Sequence, residues 1–185
     1  MISQEITTII NPTKKIKDLE KELEFSNTFQ NKINLGDAHQ ANKDFLNAIT
    51  YFEKALEANF KNEPHTLNKL IYCYFKTNNF DKVIAYANKI DLDKNFKDSI
   101  YFFGLALEQK ERLKEAEIQL RKVDKRYSNY PERLELSKFL IRRNKKEDAK
   151  EVLTEIVSEV KSMTKSNSKK YQNIFIESEK ILNEI

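Results

Sequence analysis

Leu35-Gly36-Asp37-Ala38-His39, followed after a short polar break by Asp44-Phe45-Leu46-Asn47-Ala48-Ile49-Thr50-Tyr51-Phe52-Glu53-Lys54-Ala55-Leu56, decides how this chain folds. Leu35, Ala38 and His39, then Phe45, Ala48, Ile49, Phe52, Ala55 and Leu56, recur at steps of three and four. That is the rhythm of helices with one apolar face. Ala41 to Asp44 between them is just long enough to join two antiparallel helices, so the stretch predicts a helical hairpin. Gly36 sits inside the first helix, where glycine costs about 1 kcal/mol relative to alanine. A packing reason is implied.

Working outward, the only other glycine, Gly104, lies 68 residues on, twice 34, which points to a repeat of about 34 residues. The residue before the glycine site recurs as Leu35, Leu70, Phe103 and Leu136. Ala48, Val83, Ala116 and Ala149 form a second column, and Ala55, Ile90, Val123 and Ile156 a third, all with steps of 35, 33 and 33. Phe45, Phe80 and Leu113 open the second helix of their units, and Lys146 takes that place in the fourth. Short polar turns recur at Thr77 to Asn79, Lys110 to Arg112 and Arg142 to Lys145. Pro64 and Pro131 fall at the starts of the second and fourth hairpins, and Pro12 opens an earlier helix, each where a missing N–H costs nothing.

Composition agrees. Two glycines and three prolines in 185 residues leave too few turn-formers for a sandwich or barrel, and 12 Phe with 8 Tyr must be buried, which argues against disorder. The fold class predicted is all-α. Cys73 has no partner in the chain, which fits a reducing compartment. The longest uncharged run, Ser99 to Leu107, is nine residues, about half of what a membrane-spanning helix needs. Met1 to Ile10 lacks the basic start of a signal peptide. A cytoplasmic location is expected, or the cytoplasmic face of a membrane if Ile6 to Ile10 is the edge of a lost anchor.

The residues of the first unit, from Leu35-Gly36-Asp37-Ala38-His39 through Asp44 to Leu56, resemble the tetratricopeptide repeat family. In the second unit Ile71 and Val83 replace the two small residues, in the third Gly104 and Ala116 restore them, and the fourth has Ser137 and Ala149. The resemblance implies an α-α superhelix, a right-handed solenoid of about four hairpins over 29–62, 63–96, 97–129 and 130–162. An N-terminal segment with a capping helix (1–28) would precede it. A linker and a capping helix (163–185) would follow, with Lys161 to Lys170 read as a loop. Ile16, Leu19 and Leu23 form one capping stripe, and Tyr171, Ile174, Phe175, Ile181 and Leu182 the other.

No catalytic or metal constellation emerges. His39, His65 and Cys73 lack the spacing of a zinc site; His39 and Cys73 read as core, His65 as exposed. Glu115 and Glu117 point to different faces of a helix and cannot share a proton. Two glycines leave little material for a phosphate loop. The chain is expected to be no enzyme and to need no cofactor or metal.

The resemblance implies instead a concave surface built from first helices, which would bind a protein or peptide partner. Projected onto it, the sequence gives Ile33, Asp37 and Gln40; then Asn68, Tyr72, Phe75 and Lys76; then Tyr101, Leu105 and Glu108; and finally Leu134, Lys138, Ile141 and Arg142. The aromatic middle could grip a peptide, or could fill gaps between helices. The carboxylate clamp by which some family members bind acidic chaperone tails is not expected, because the corresponding residues are Ile33, Asp37, Lys69, Asp98 and Phe102. No nucleic-acid partner is expected from a net charge of +4. Arg142, Arg143, Lys145 and Lys146, with Lys161, Lys165, Lys169 and Lys170, leave anionic contact as a second reading, though no aromatic lies within either run. Self-association through an exposed end stays open.

Overall fold

The computed structural model describes residues 12–185, and among them every regular element is helical. The order is α1 (Pro12–Phe25), α2 (Phe29–Ala41), α3 (Phe45–Ala55), a single 3-10 turn (Ala58–Phe60), α4 (Pro64–Lys76), α5 (Phe80–Ala87) and the four-residue α6 (Leu92–Asn95). It continues with α7 (Lys97–Gln109), α8 (Leu113–Arg121), α9 (Tyr130–Arg142), α10 (Lys146–Ser162), α11 (Lys165–Lys170) and α12 (Gln172–Glu184). The chain divides into two compact units, one ending at Leu92 and the other running from Asp93 to Ile185. The first holds the hairpins α2/α3 and α4/α5, the second α7/α8 and α9/α10.

The repeat columns are the cores of these hairpins. Leu35, Leu70, Phe103 and Leu136 are buried, as are Ala48, Val83, Ala116 and Ala149. The glycines mark close helix crossings. A Cβ on Gly36 would run into the Phe52 ring of α3, and one on Gly104 would lie 2.7 Å from Cγ and Cδ2 of Leu120 on α8. Each second helix begins at the residue that opens it in the repeat: Phe45, Phe80, Leu113 and Lys146.

All four hairpin turns have three residues, and the middle one takes a positive φ: Lys43 (61°), Asn78 (58°), Glu111 (57°) and Asn144 (59°). The hydrogen bonds repeat as well. In the first, Lys43 N–H donates to the Gln40 carbonyl and Asp44 N–H to that of His39; in the third, Glu111 donates to Glu108 and Arg112 to Leu107. This closes the last turn of the first helix and consumes its orphan carbonyls.

The units differ in how the next helix starts. In the first, Thr28 caps α2, Asp44 caps α3, Glu63 caps α4 and Asn79 caps α5, each accepting a backbone N–H of the first turn. In the second, Phe96, Arg112, Asn129 and Lys145 hold the same position before α7 to α10, and none makes a side-chain cap. That unit has instead a buried ionic cluster. Arg133 of α9, fully buried, donates to Asp124 (2.8 Å), Glu155 (2.5 Å) and Glu159 (3.0 Å), and Arg126 reaches Glu159 at 3.0 Å. Burial works to raise the Glu159 pKa, but the Arg126 hydrogen bond, the Tyr127 N–H and the Arg133 charge outweigh it and hold the carboxyl below its usual range.

At the ends, α1 packs on α2, and α12 packs on α9 and α10, where Lys138 meets Glu177 (2.8 Å) and Lys161 meets Glu179 (2.8 Å). The expected loop over Lys161 to Lys170 is not one: α10 continues to Ser162, and Lys165–Lys170 forms α11. Ser168 returns its hydroxyl hydrogen to the Lys165 carbonyl, and Lys169 and Lys170 stand at the C-terminal end, where cations are favourable. Among the described residues no helix is long and apolar enough to cross a membrane. The anchor reading of Ile6 to Ile10 lies outside the described residues.

Candidate binding surface

In the first unit the row is carried by α2 and α4. Asp37 is ion-paired with Lys69 (2.6 Å), whose ammonium also lies over the Phe52 ring. Gln40 accepts from the Cys73 thiol at 3.6 Å, and burial pushes that thiol up to about 12. It is inert at neutral pH. Tyr72 meets Phe45 edge-on at 5.8 Å, with the Lys76 ammonium 5.4 Å over its ring, and Phe75 meets Phe80 edge-on at 6.0 Å. The aromatic groups are therefore braced by the first residue of each second helix. Asn68, Tyr72 and Phe75 are half-buried and Lys76 is exposed. His39 is buried as expected, its Nδ1 3.0 Å from Asp44 and its ring stacked on Tyr51.

In the second unit α7 and α9 carry the row. Glu108 accepts both Nε and Nη2 of Arg142, at 2.8–3.0 Å, and Lys138 lies between Glu135 (2.7 Å) and Glu177. Tyr101 packs against Phe102 at 5.5 Å, and its phenol is pushed up to about 12 by burial and by the charges of Glu135 and Glu132. Leu105 and Ile141 are half-buried. Arg142 and Lys145 of the basic turn are engaged by Glu108 and by Glu117.

Two residues of the projected row drop out. Ile33, 8% exposed, and Leu134, 4% exposed, belong to the core, because each falls on the side of its helix that meets the rest of the hairpin. The clamp residues do not make a clamp either, since the one lysine among them, Lys69, is consumed by Asp37. The pairing of neighbouring first helices was missed from the sequence, although a signal existed. Asp37 and Lys69 are 32 residues apart and Glu108 and Arg142 are 34 apart, so opposite charges recur at nearly the repeat period. Among the described residues no group of three or more His, Cys, Asp and Glu side chains could hold a metal ion.

Comparison with known proteins accords with this geometry. Residues 41–123 match the model of the family described as anaphase-promoting complex, cyclosome, subunit 3. The crystal structure of YrrB, described as a TPR protein with an unusual peptide-binding site, superposes with a TM-score of 0.67 at 19% identity, covering 80% of this chain and 77% of that one. The chain has the tetratricopeptide-type repeat fold. The array also resembles MamA from residue 41 onward from Desulfovibrio magneticus RS-1, with a TM-score of 0.74 at 18% identity over 82% of this chain and 87% of that one. A second MamA structure gives 0.68 at 13% identity, over 78% and 85%. At such identities the structural likeness speaks to the tetratricopeptide fold. No curated protein matches the chain in sequence.

Proposed function

We propose that the chain is a non-catalytic scaffold that holds a segment of another protein on the first-helix faces of its hairpins. One observation carries this reading. The charges of the row are cross-paired within each unit, Asp37 with Lys69 and Glu108 with Arg142, while Tyr72, Phe75 and Tyr101 stay half-exposed on braced rings. Rigid aromatic faces with neutralised charges, one in each unit, lose little entropy on binding and favour apolar or aromatic anchors over acidic tails. The YrrB likeness supports a peptide as ligand, since that protein is described by its peptide-binding site.

The reading is tested by selecting binders from a random 12-residue peptide library and titrating them calorimetrically against the chain. Apolar or aromatic sequences should be enriched. Tyr72→Ala and Tyr101→Ala, each checked for an intact helical spectrum, should each weaken the selected peptides at least tenfold, in line with losses of about 1.4 kcal/mol or more for aromatic anchors. Unchanged affinity in both variants would remove these faces from the function.

A further inference from the structure

Tyr127 stands in the connection between α8 and α9 with a φ of 62°. A bulky residue there is an outlier, at a cost of roughly 1–2 kcal/mol. It is held by its surroundings. The Tyr127 N–H donates to Glu159 at 2.7 Å, and Glu159 is itself fixed by Arg126 and the buried Arg133. Two residues on, Asn129 also has a positive φ, of 52°, and its side chain donates to the Val123 carbonyl at 3.0 Å. The consequence is a tyrosine ring 69% exposed, with the Arg126 guanidinium 5.3 Å over it. Strain of this kind persists only where the rest of the structure over-determines it, and it concentrates at functional positions.

The same contacts lead from this loop to the second basic run. Past Glu159, α10 continues to Lys161, whose ammonium lies 5.3 Å over the Phe175 ring. Helix α11 adds Lys165, Lys169 and Lys170, the last 5.3 Å over the Tyr171 ring, and Tyr171 touches Tyr130 at the far end of the loop, with centroids 4.8 Å apart. The carboxylates along this edge are taken up: Asp124, Glu155 and Glu159 by Arg133 and Arg126, Glu179 by Lys161. Among the described residues no carboxylate pairs with Lys165, Lys169 or Lys170. The fold thus supplies the aromatics that are absent from the basic run itself.

We propose that this edge binds single-stranded nucleic acid, with the lysines of α11 along the phosphates and Tyr127 stacked on a base. Ammonium groups alone would satisfy an acidic peptide, which gains nothing from an exposed ring held in a strained backbone. Bases have a π-face to offer it, and stacking on an aromatic is sequence-tolerant.

The test is fluorescence anisotropy of an end-labelled oligothymidylate of about 12 nucleotides with the full chain, within the range of such sites. Three basic contacts at a slope of about 0.7 each should weaken binding roughly twentyfold between about 50 and about 200 mM salt. Lys165→Glu/Lys169→Glu/Lys170→Glu should abolish binding. Tyr127→Asn removes the ring but suits a positive φ, so it should weaken binding roughly five- to hundredfold while leaving the thermal midpoint unchanged or higher. Tyr127→Phe should bind as the parent does. Absence of binding at low salt, equal competition by polyglutamate at matched charge, or full affinity in Tyr127→Asn would each overturn the proposal.

Discussion

The two units build the same hairpin and stabilise it differently. In the first, the last turn residue before each second helix is Asp44 or Asn79, and its side chain caps the helix; in the second it is Arg112 or Lys145, and no side-chain cap forms. The second unit compensates in two ways. Its helices carry acids in their first turns, Asp98, Glu115, Glu132, Glu147 and Asp148, which interact favourably with the positive end of the helix. It also knots α9, α10 and the connection before α9 through buried Arg133. Local hydrogen bonds secure one unit, and a long-range ionic cluster the other.

The largest test of that contrast is Arg133→Met. It keeps apolar packing but leaves Glu159, 1% exposed, and half-buried Glu155 with only the exposed Arg126 as a cation. Breaking a buried pair from one side costs about 3–5 kcal/mol. Urea unfolding should show a loss of that size, and hydrogen exchange should place it in α8 to α10 and not in α2 to α5. A change below about 1 kcal/mol, or one spread over both units, would mean that the cluster does not hold the second unit.

Next in size is a substitution that should affect the units alike. Gly36→Leu forces a side chain into Phe52 and Gly104→Leu forces one into Leu120, and overpacking of this kind costs about 1–3 kcal/mol. Thermal melts should show similar losses for both. A neutral Gly104→Leu would show that the α7/α8 crossing can open, and the shared register would then not be equally tight.

What was legible in the sequence follows the same division. The columns around Leu35, Ala48 and Ala55 could be read because packing one hairpin on itself demands fixed residue sizes at fixed steps. The starts of α3, α5, α8 and α10 came with them. Arg133 could not be read, since Glu132-Arg133-Leu134-Glu135 looks like an ordinary charged helix face, and two of its three carboxylate partners, Glu155 and Glu159, lie more than 20 residues away. Helix α11 was hidden because its Ser and Lys residues carry no apolar rhythm. Tyr72, Phe75 and Tyr101 of the projected row are half-exposed, but the sequence says nothing of the partners that neutralise Asp37, Lys138 and Arg142.

A smaller effect is expected from removing a cap in the first unit. Glu63 accepts His65 N–H (3.1 Å), Thr66 N–H (2.7 Å) and the Thr66 hydroxyl (2.6 Å); burial works to raise its pKa, and these hydrogen bonds outweigh it, so the net shift is downward. Glu63→Ala should cost about 1 kcal/mol at neutral pH. Because the folded-state pKa is depressed, this stability is present above the ordinary carboxylate range and lost as pH falls through the folded value. Parent and variant should therefore converge in stability on acidification. A constant difference down to acid pH would show that Glu63 acts by something other than its charge.

The smallest effect asks whether the missing caps of the second unit can be restored. Arg112 stands at the N-cap of α8 with φ −82° and ψ 60°, close to the −85° and 72° of Asp44 before α3, so the backbone already has the shape a capping side chain uses. Arg112→Ser gives up the Arg112 to Glu115 pair (2.7 Å), which is exposed and contributes little. It gains a side-chain cap that contributes about 1 kcal/mol, while the N–H of residue 112 stays on the Leu107 carbonyl. The expected net change is a stabilisation of about 0.5 kcal/mol, read as a small rise in thermal midpoint, with less salt dependence because the surface ion pair is gone. Were the variant instead about 1 kcal/mol less stable, the Arg112 to Glu115 pair would itself be securing the start of α8, and the second unit would not lack caps but would make them from ions.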